Sequence, residues 1–447
     1  MYASNRDGRI IPRKSTLVLV ALLLPVWVAS ADVSFGGTGS FDVQVLVEDQ
    51  AEPLSTLSQK NRLSPSLAIW AEAFEFTLNG SVSVDGLSGE ITPSLQEFRL
   101  DLYPTDFMSL RMGVFSYLPG TSEFVSNTNF FARTDYEALL TGAVGESLIP
   151  STMVQAGFYW NDSYLLLTVN PLRPEMVLPE TDTPWFPMRD VPESVTLQLF
   201  ADDQTILLDN LYYIHVDPTP YDLTQISISP ELGTTILGID ASLLYYHGTD
   251  NTSLIAANFI PYGLYDSDPY DIELIPVYRN VHVIGMNLAT NISALRLWGD
   301  SAFTFNKSFL TNRVSFSNRN TPVVELPYLE YTVGASYEFS FINLSLFGEI
   351  KHNHVFTEEQ FFVAQMLQSM AVGAVSASVF DYALSAFVSA IYSLADGGVA
   401  SVARITYAPV DELSVELLAP MFFGDVDSEL GQYRDNFLIS AKVIWRF

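Results

Sequence analysis

Apolar residues in this chain recur at every second position over long stretches. They fall at Tyr331, Val333, Ala335, Tyr337 and Phe339, with Thr332, Gly334, Ser336 and Glu338 between them. Successive strand residues point to opposite faces, so such a segment has one apolar face and one small, polar face. Tyr382, Leu384, Ala386, Val388, Ala390, Tyr392 and Leu394 repeat the pattern, and residues 399–407 and 413–419 repeat it more briefly. At the C-terminus Phe437, Ile439, Ala441, Val443, Trp445 and Phe447 form one row, with Asn436, Ser440, Lys442 and Arg446 on the other side. A soluble sandwich also alternates, but here the polar face is rich in Ser, Gly, Thr and Ala and the apolar rows end in aromatics. Transmembrane strands have that pattern. The fold predicted is all-β, a transmembrane antiparallel β-barrel.

A strand of about ten residues with averaged loops uses roughly 25 residues, which predicts about 16 strands, within a range of 14 to 18 and preferably even. Asp381 and the run Pro409-Val410-Asp411-Glu412 mark short turns between late strands. Longer connections are expected over residues 48–65, 117–150, 170–192, 261–275, 307–325, 353–370 and 423–435. Thr357-Glu358-Glu359-Gln360 has the form of a capping box ahead of Phe361, Phe362, Val363, Met366, Leu367 and Met370. That segment reads either as a short helix in a loop or lumen, or as an irregular strand.

The N-terminus sets the compartment. Arg6, Arg9, Arg13 and Lys14 precede an apolar stretch from Leu17 to Val28, which ends in Ala29-Ser30-Ala31. A helical span needs about 20 apolar residues. This shorter stretch, with its small-residue end, reads as a secretory signal peptide cut after Ala31. Residues 1–31 are therefore expected to be removed, leaving 32–447 as a single barrel domain. No uninterrupted run of 18 apolar residues follows, so helical spans are not expected. The absence of cysteine excludes disulfides, thiolate chemistry and a lipid anchor on an N-terminal Cys.

The chain carries 21 basic and 51 acidic residues. Loss of residues 1–31 removes four basic residues and Asp7, which leaves 17 and 50, a formal charge of −33. Nucleic-acid binding needs a basic footprint and is excluded by this balance. Acids cluster at Asp266, Asp268, Asp271 and Glu273, and at Asp425, Asp427 and Glu429. At a pore mouth they would concentrate cations; the alternatives are surface solubility and divalent bridging to lipid headgroups. Asp266-Ser267-Asp268 lacks the glycine and distant glutamate of a calcium loop.

Two segments are too polar or proline-rich to face lipid. Residues 117–142 follow the strand-like run Leu110-Arg111-Met112-Gly113-Val114, and residues 170–192 hold six prolines. They are either surface loops or segments folded into the lumen. If they fold inward, Arg133, Asp135, Glu137, Trp185, Arg189 and Asp190 are the candidates for a constriction. Alternation against the apolar rows places Arg99, Asp101, Arg111, Glu338, Glu349, Arg404, Glu416 and Lys442 in the lumen.

The terminal strand resembles the last strand of bacterial outer-membrane barrels, whose final aromatic, here Phe447, is read by the barrel-assembly machinery. The order of elements also resembles porin-like barrels distantly related to alginate-export porins. The resemblance runs through Met112-Gly113, the loop with Asn127, Asn129, Arg133 and Asp135, then Pro184-Trp185. It continues at Ile275-Pro276-Val277-Tyr278-Arg279 and at Pro327-Tyr328-Leu329-Glu330-Tyr331 with Gly334. Where that family often has a Trp-Gly pair after the first of these strands, this chain has Ser116-Tyr117. The resemblance implies an outer-membrane pore for small polar solutes, with lipid and the assembly machinery as partners and with homo-oligomers as an option.

Enzymatic readings find little support. The histidines are His215, His247, His282, His352 and His354. His352-Asn353-His354 places two rings on one strand face, without a third zinc ligand in sequence. No G-x-S-x-G elbow, H-E-x-x-H pair or phosphate-binding glycine loop occurs. Neither a cofactor nor a metal is expected. The rivals to a diffusive pore are a transporter of a hydrophobic ligand, of the fatty-acid type, and a non-conducting surface barrel used for adhesion or structure.

Overall fold

The structure is a computed structural model. It describes residues 32–47, 55–122, 124, 126–142, 147–172, 177, 179, 183–186, 194–199, 202–213, 226–250, 254–261, 270–310, 323–357, 369–380 and 382–447. Eighteen strands join into one closed antiparallel sheet. They are β1 (Asp32–Val47), β2 (Ser55–Ala71), β3 (Phe74–Asp85), β4 (Ile91–Thr105), β5 (Met108–Phe115) and β6 (Ser151–Trp160). Next come β7 (Ser163–Asn170), β8 (Ser227–Ile236), β9 (Ile239–Thr249), β10 (Asn280–Ile292), β11 (Leu295–Leu310) and β12 (Val323–Phe339). The circuit ends with β13 (Leu344–Val355), β14 (Ser369–Val379), β15 (Leu384–Ser393), β16 (Val399–Val410), β17 (Leu413–Phe423) and β18 (Phe437–Arg446). β1 pairs with both β2 and β18, and Gly37 and Phe447 exchange backbone hydrogen bonds of 3.0 and 3.1 Å across the seam.

Eighteen strands, not about 16, make the barrel. The averaged spacing overestimated the residues per strand because one rim is built from minimal turns. Glu72-Ala73, Asp106-Phe107, Asn161-Asp162, Leu237-Gly238, Ser293-Ala294 and Asp411-Glu412 each join two strands directly. Leu237 and Gly238 both have positive φ, 53° and 80°, the mirror-image turn whose twist matches that of the flanking strands. The opposite rim carries the long connections. β2 already begins at Ser55, inside the loop expected over 48–65. The connections after β7 and β9 hold two hairpins, Ser194–Leu199 with Asp202–Tyr213 and Leu254–Pro261 with Tyr270–Val277. These hairpins join in a four-stranded sheet of their own, which the sequence did not suggest; only Pro261 and residues 270–275 fall inside a connection expected as a loop. Of the capping-box segment, residues 358–368 lie outside the described residues, as does Asp381.

Alternation sorts the two barrel faces. On β9 Leu243 is 55% exposed, whereas the next residue, Leu244, is 1% exposed. On β13 Ile350 is exposed and Glu349 buried; on β18 Ile439 and Trp445 are exposed and Ser440 is buried. The outer face is thus apolar, and the inner face is mostly polar, with apolar side chains such as Leu244 inward where the lumen is filled. Closure leaves no free sheet edge, so every strand can satisfy its backbone groups within hydrocarbon. The chain is a membrane-spanning barrel.

At the long-loop rim Asp396 ties two connections together, accepting from the Gly398 N–H at 3.0 Å and the Glu429 N–H at 2.8 Å. Burial raises its carboxyl pKa, but the hydrogen bonds from the Glu429 and Gly398 N–H groups act against it, and the group lies below its ordinary value.

Candidate functional site

The connection from β5 to β6, residues 116–150, folds into the lumen. It leaves β5 through Tyr117, whose hydroxyl donates to the Glu231 carboxylate on β8. Glu231 also accepts from Tyr164 at 2.8 Å. Further on, the Thr121 hydroxyl and N–H donate to Asp300 on β11 at 2.5 and 3.1 Å, and the Ser122 N–H donates to it at 2.9 Å. The Ser122 hydroxyl donates to Glu349 on β13 at 2.6 Å, and the Trp298 indole donates to the same carboxylate oxygen at 3.0 Å. Asn127 donates to the Thr332 hydroxyl on β12 at 2.8 Å, and Thr128 donates to Asn287 on β10 at 3.1 Å. Four adjacent strands, β10 to β13, therefore hold this stretch through side chains that alternation aims inward. A carboxylate taken out of water must be satisfied, and here loop donors satisfy it.

The loop turns sharply at Gly120, which sits at φ +121°. A Cβ there would lie 2.5 Å from Ser126 Oγ and 2.6 Å from Thr128 Oγ1, so only glycine fits. Phe130 and Phe131 then pack on Tyr246, at ring separations of 4.6 and 5.5 Å, within an apolar cluster with Phe115, Met153 and Val283.

Three constriction candidates follow. Arg133 pairs with Ile149 in a short two-stranded ladder, and Asp135 caps helix α1 (Tyr136–Leu140) by accepting from Ala138 at 3.0 Å. Glu137 lies in the first turn of α1. At Gly142 the loop meets the far wall, its carbonyl accepting from Arg404 at 3.1 Å. Trp185 arrives from the β7–β8 connection. It is completely buried between Phe422, Tyr433 and Leu438, with Leu140 of α1 packed against them. Asn436 clamps the Pro184 carbonyl at 2.5 Å, and Val177 hydrogen-bonds to Thr134 and Tyr136. The described parts of both segments thus contact the inner wall and each other. Arg189 and Asp190 lie outside the described residues.

The lumen charges divide into groups. Arg99 pairs with Glu75, Glu97 and Asp101 at 2.8, 2.8 and 2.7 Å, and Arg111 joins Asp101 at 2.5 Å. Asn79 donates to Glu97 in the same patch of β3, β4 and β5. Glu349 lies beneath the loop. Arg404 and Glu416 lie 3.7 Å apart, and Lys442 stands opposite Glu416 across the β17–β18 ladder. Glu338 is exposed near the minimal-turn rim.

Sequence reasoning passed over Glu231 and Asp300, the anchors of the inward loop. Their available signal was an acid at an inward position in mid-strand, as in Trp298-Gly299-Asp300. The four described histidines are not gathered into a site. His247 and His282 stack at 4.4 Å, and His352 bonds Ser369. Among the described residues no group of three or more His, Asp or Glu is placed to hold a metal.

This geometry defines the class: a closed, membrane-spanning antiparallel β-barrel with a loop folded into its lumen. No family model matches the chain, and no curated protein matches it in sequence. Solved structures similar in shape include OccAB1 of Acinetobacter baumannii, at 9% identity and a TM-score of 0.47 over 94% of this chain and 97% of that one. OmpF of Salmonella typhi aligns at 8% identity and a TM-score of 0.42 over 93% and 97% of the two chains. The outer-membrane channel DcaP of Acinetobacter baumannii aligns at 11% identity and 0.39 over 94% and 98%.

Proposed function

We propose that the protein is a bacterial outer-membrane channel for passive diffusion of small polar solutes, narrowed by the loop of residues 116–150. The observation that carries the reading is the clasp of that loop on Glu231, Asp300 and Glu349 inside a closed barrel. β3 to β5 carry a polar patch of paired charges on the same wall. Side chains at a narrowing set which solutes pass by size and charge. In this reading Arg133, Asp135 and Glu137 shape the constriction, Trp185 anchors it from behind, and Arg189 and Asp190 belong to the same connection. The acid excess makes the pore cation-preferring.

The same reading takes residues 1–31 as a cleaved export signal and Phe447 as the assembly signal. It takes lipid, the assembly machinery and further copies of the chain as partners, and it assigns no catalysis. The kinship to alginate-export porins belongs here too, carried by the order of Met112-Gly113, the inward loop and Pro184-Trp185.

The test is planar-bilayer conductance of the folded chain, with the reversal potential taken under a potassium chloride gradient. Discrete, cation-preferring steps are expected. Silence from a chain shown to be folded would overturn the channel, and anion preference would overturn the role given to the acids.

A further inference from the structure

At the minimal-turn end of the lumen, beneath the inward loop, lies a cavity of about 420 Å³. Its apolar side is made by Phe124 of the loop, Phe347 of β13 and Phe387 of β15. Phe124 and Phe347 lie 5.0 Å apart, and Trp298 stacks on Phe347 at 5.3 Å. Arg296 also lines the cavity; it lies 5.5 Å over the Trp298 ring and donates to the Thr121 carbonyl at 3.4 Å, which turns one of its N–H groups toward the loop. The polar side holds Ser336, Ser345, Ser376 and Glu338. Glu338 is exposed and makes no side-chain hydrogen bond or ion pair among the described residues.

We propose that this cavity is a solute subsite for organic monocations, an ammonium group carried on a single ring or a compact apolar body. Three chemical features converge on that class. Aromatic faces attract cations through the ring quadrupole, and they remove apolar surface from water. An unengaged carboxylate beside them supplies a charge-assisted partner for the ammonium. An acidic lumen raises the local concentration of cations and depletes anions. The volume falls within the range of small-molecule pockets and suits one ring. The inference rests on the channel reading for its place on a solute path, but the binding step can be measured without conductance.

Isothermal titration of the folded, detergent-solubilised chain with benzylammonium, methylammonium and benzoate provides the test. Benzylammonium is expected to bind about tenfold or more tightly than either of the others, and Phe387→Ala and Glu338→Gln are each expected to weaken it about tenfold. Glu338 is exposed, so its variant keeps the test valid if Phe387→Ala does not fold. Equal binding of benzoate would overturn the role of Glu338, and equal binding of methylammonium would overturn the role of the rings. No heat with any of the three would overturn the subsite. A conducting chain without binding leaves the channel standing and removes the subsite; binding by a chain that does not conduct does the reverse.

Discussion

The inner wall of the barrel carries carboxylates on two arcs, and their partners differ. On β8, β11 and β13, Glu231, Asp300 and Glu349 accept from hydroxyls, N–H groups and an indole, mostly supplied by a loop that arrives from β5. On β3 to β5, Glu75, Glu97 and Asp101 face Arg99 and Arg111 from the same or adjacent strands. One arc uses its acids to hold chain inside the lumen, and the other neutralises them in place and leaves a polar surface. Similar residues, placed inward by the same alternation, do structural work in one region and electrostatic work in the other. The distinction lies in what reaches them.

The largest effect should come from removing an acceptor on the covered arc. Asp300→Ala leaves the Thr121 and Ser122 donors unpaired. It should cost on the order of 2–3 kcal/mol of stability and raise single-channel conductance as the loop loosens; unchanged conductance with a folded barrel would separate Asp300 from the position of the loop. Gly120→Ala should follow at about 1–3 kcal/mol, from a backbone angle that side chains avoid, with the same gain in conductance. The pair Arg133→Ala and Asp135→Ala should alter conductance or ion preference, with about 1 kcal/mol lost through the helix cap; bilayer records unaltered on both counts would remove these residues from the constriction.

Arg99→Gln on the uncovered arc should cost about 1 kcal/mol, because Asp101 keeps Arg111, yet move the reversal potential toward stronger cation preference because Glu75 and Glu97 lose their cation. Least affected is the outer tie at Asp396. Its depressed pKa contributes stability above the ordinary carboxylate range, and that contribution is lost as pH falls through the lowered value. Amide protection across residues 424–436, corrected for intrinsic exchange, should therefore drop in acid for the native chain, and Asp396→Asn should show the low protection already at neutral pH.

Period-two patterning made β12, β15 and β18 readable, because lipid on one side and water or loop on the other impose opposite demands on neighbouring residues. The eight lumen charges were chosen by the same alternation. Strand number was harder to read. Turns such as Glu72-Ala73 and Asp106-Phe107 carry no glycine or asparagine to mark the break. The four-stranded sheet of the outer connections was not foreseen: Ser194–Leu199 and Asp202–Tyr213 lie outside every loop the sequence suggested, and strand patterning does not say which sheet a strand joins. Nor could composition show which strands would receive the inward loop: Thr121 lies 179 residues from Asp300, and Ser122 lies 227 from Glu349. The inward-pointing acids are legible one by one; their common partner is a property of the closed ring.

The contacts of Val177 with Thr134 and Tyr136, and of Trp185 with the cluster beside Leu140, have a mechanical consequence. Two connections that leave the barrel at different strands are spliced into one body, pinned at Asp300 on one side and at Asn436 on the other. Such a crossbar resists being displaced by either end alone, and its amides should open to exchange as one cooperative unit rather than as two independent loops. In the channel proposed above, a strut held between β11 and the β17–β18 connection sets the bore.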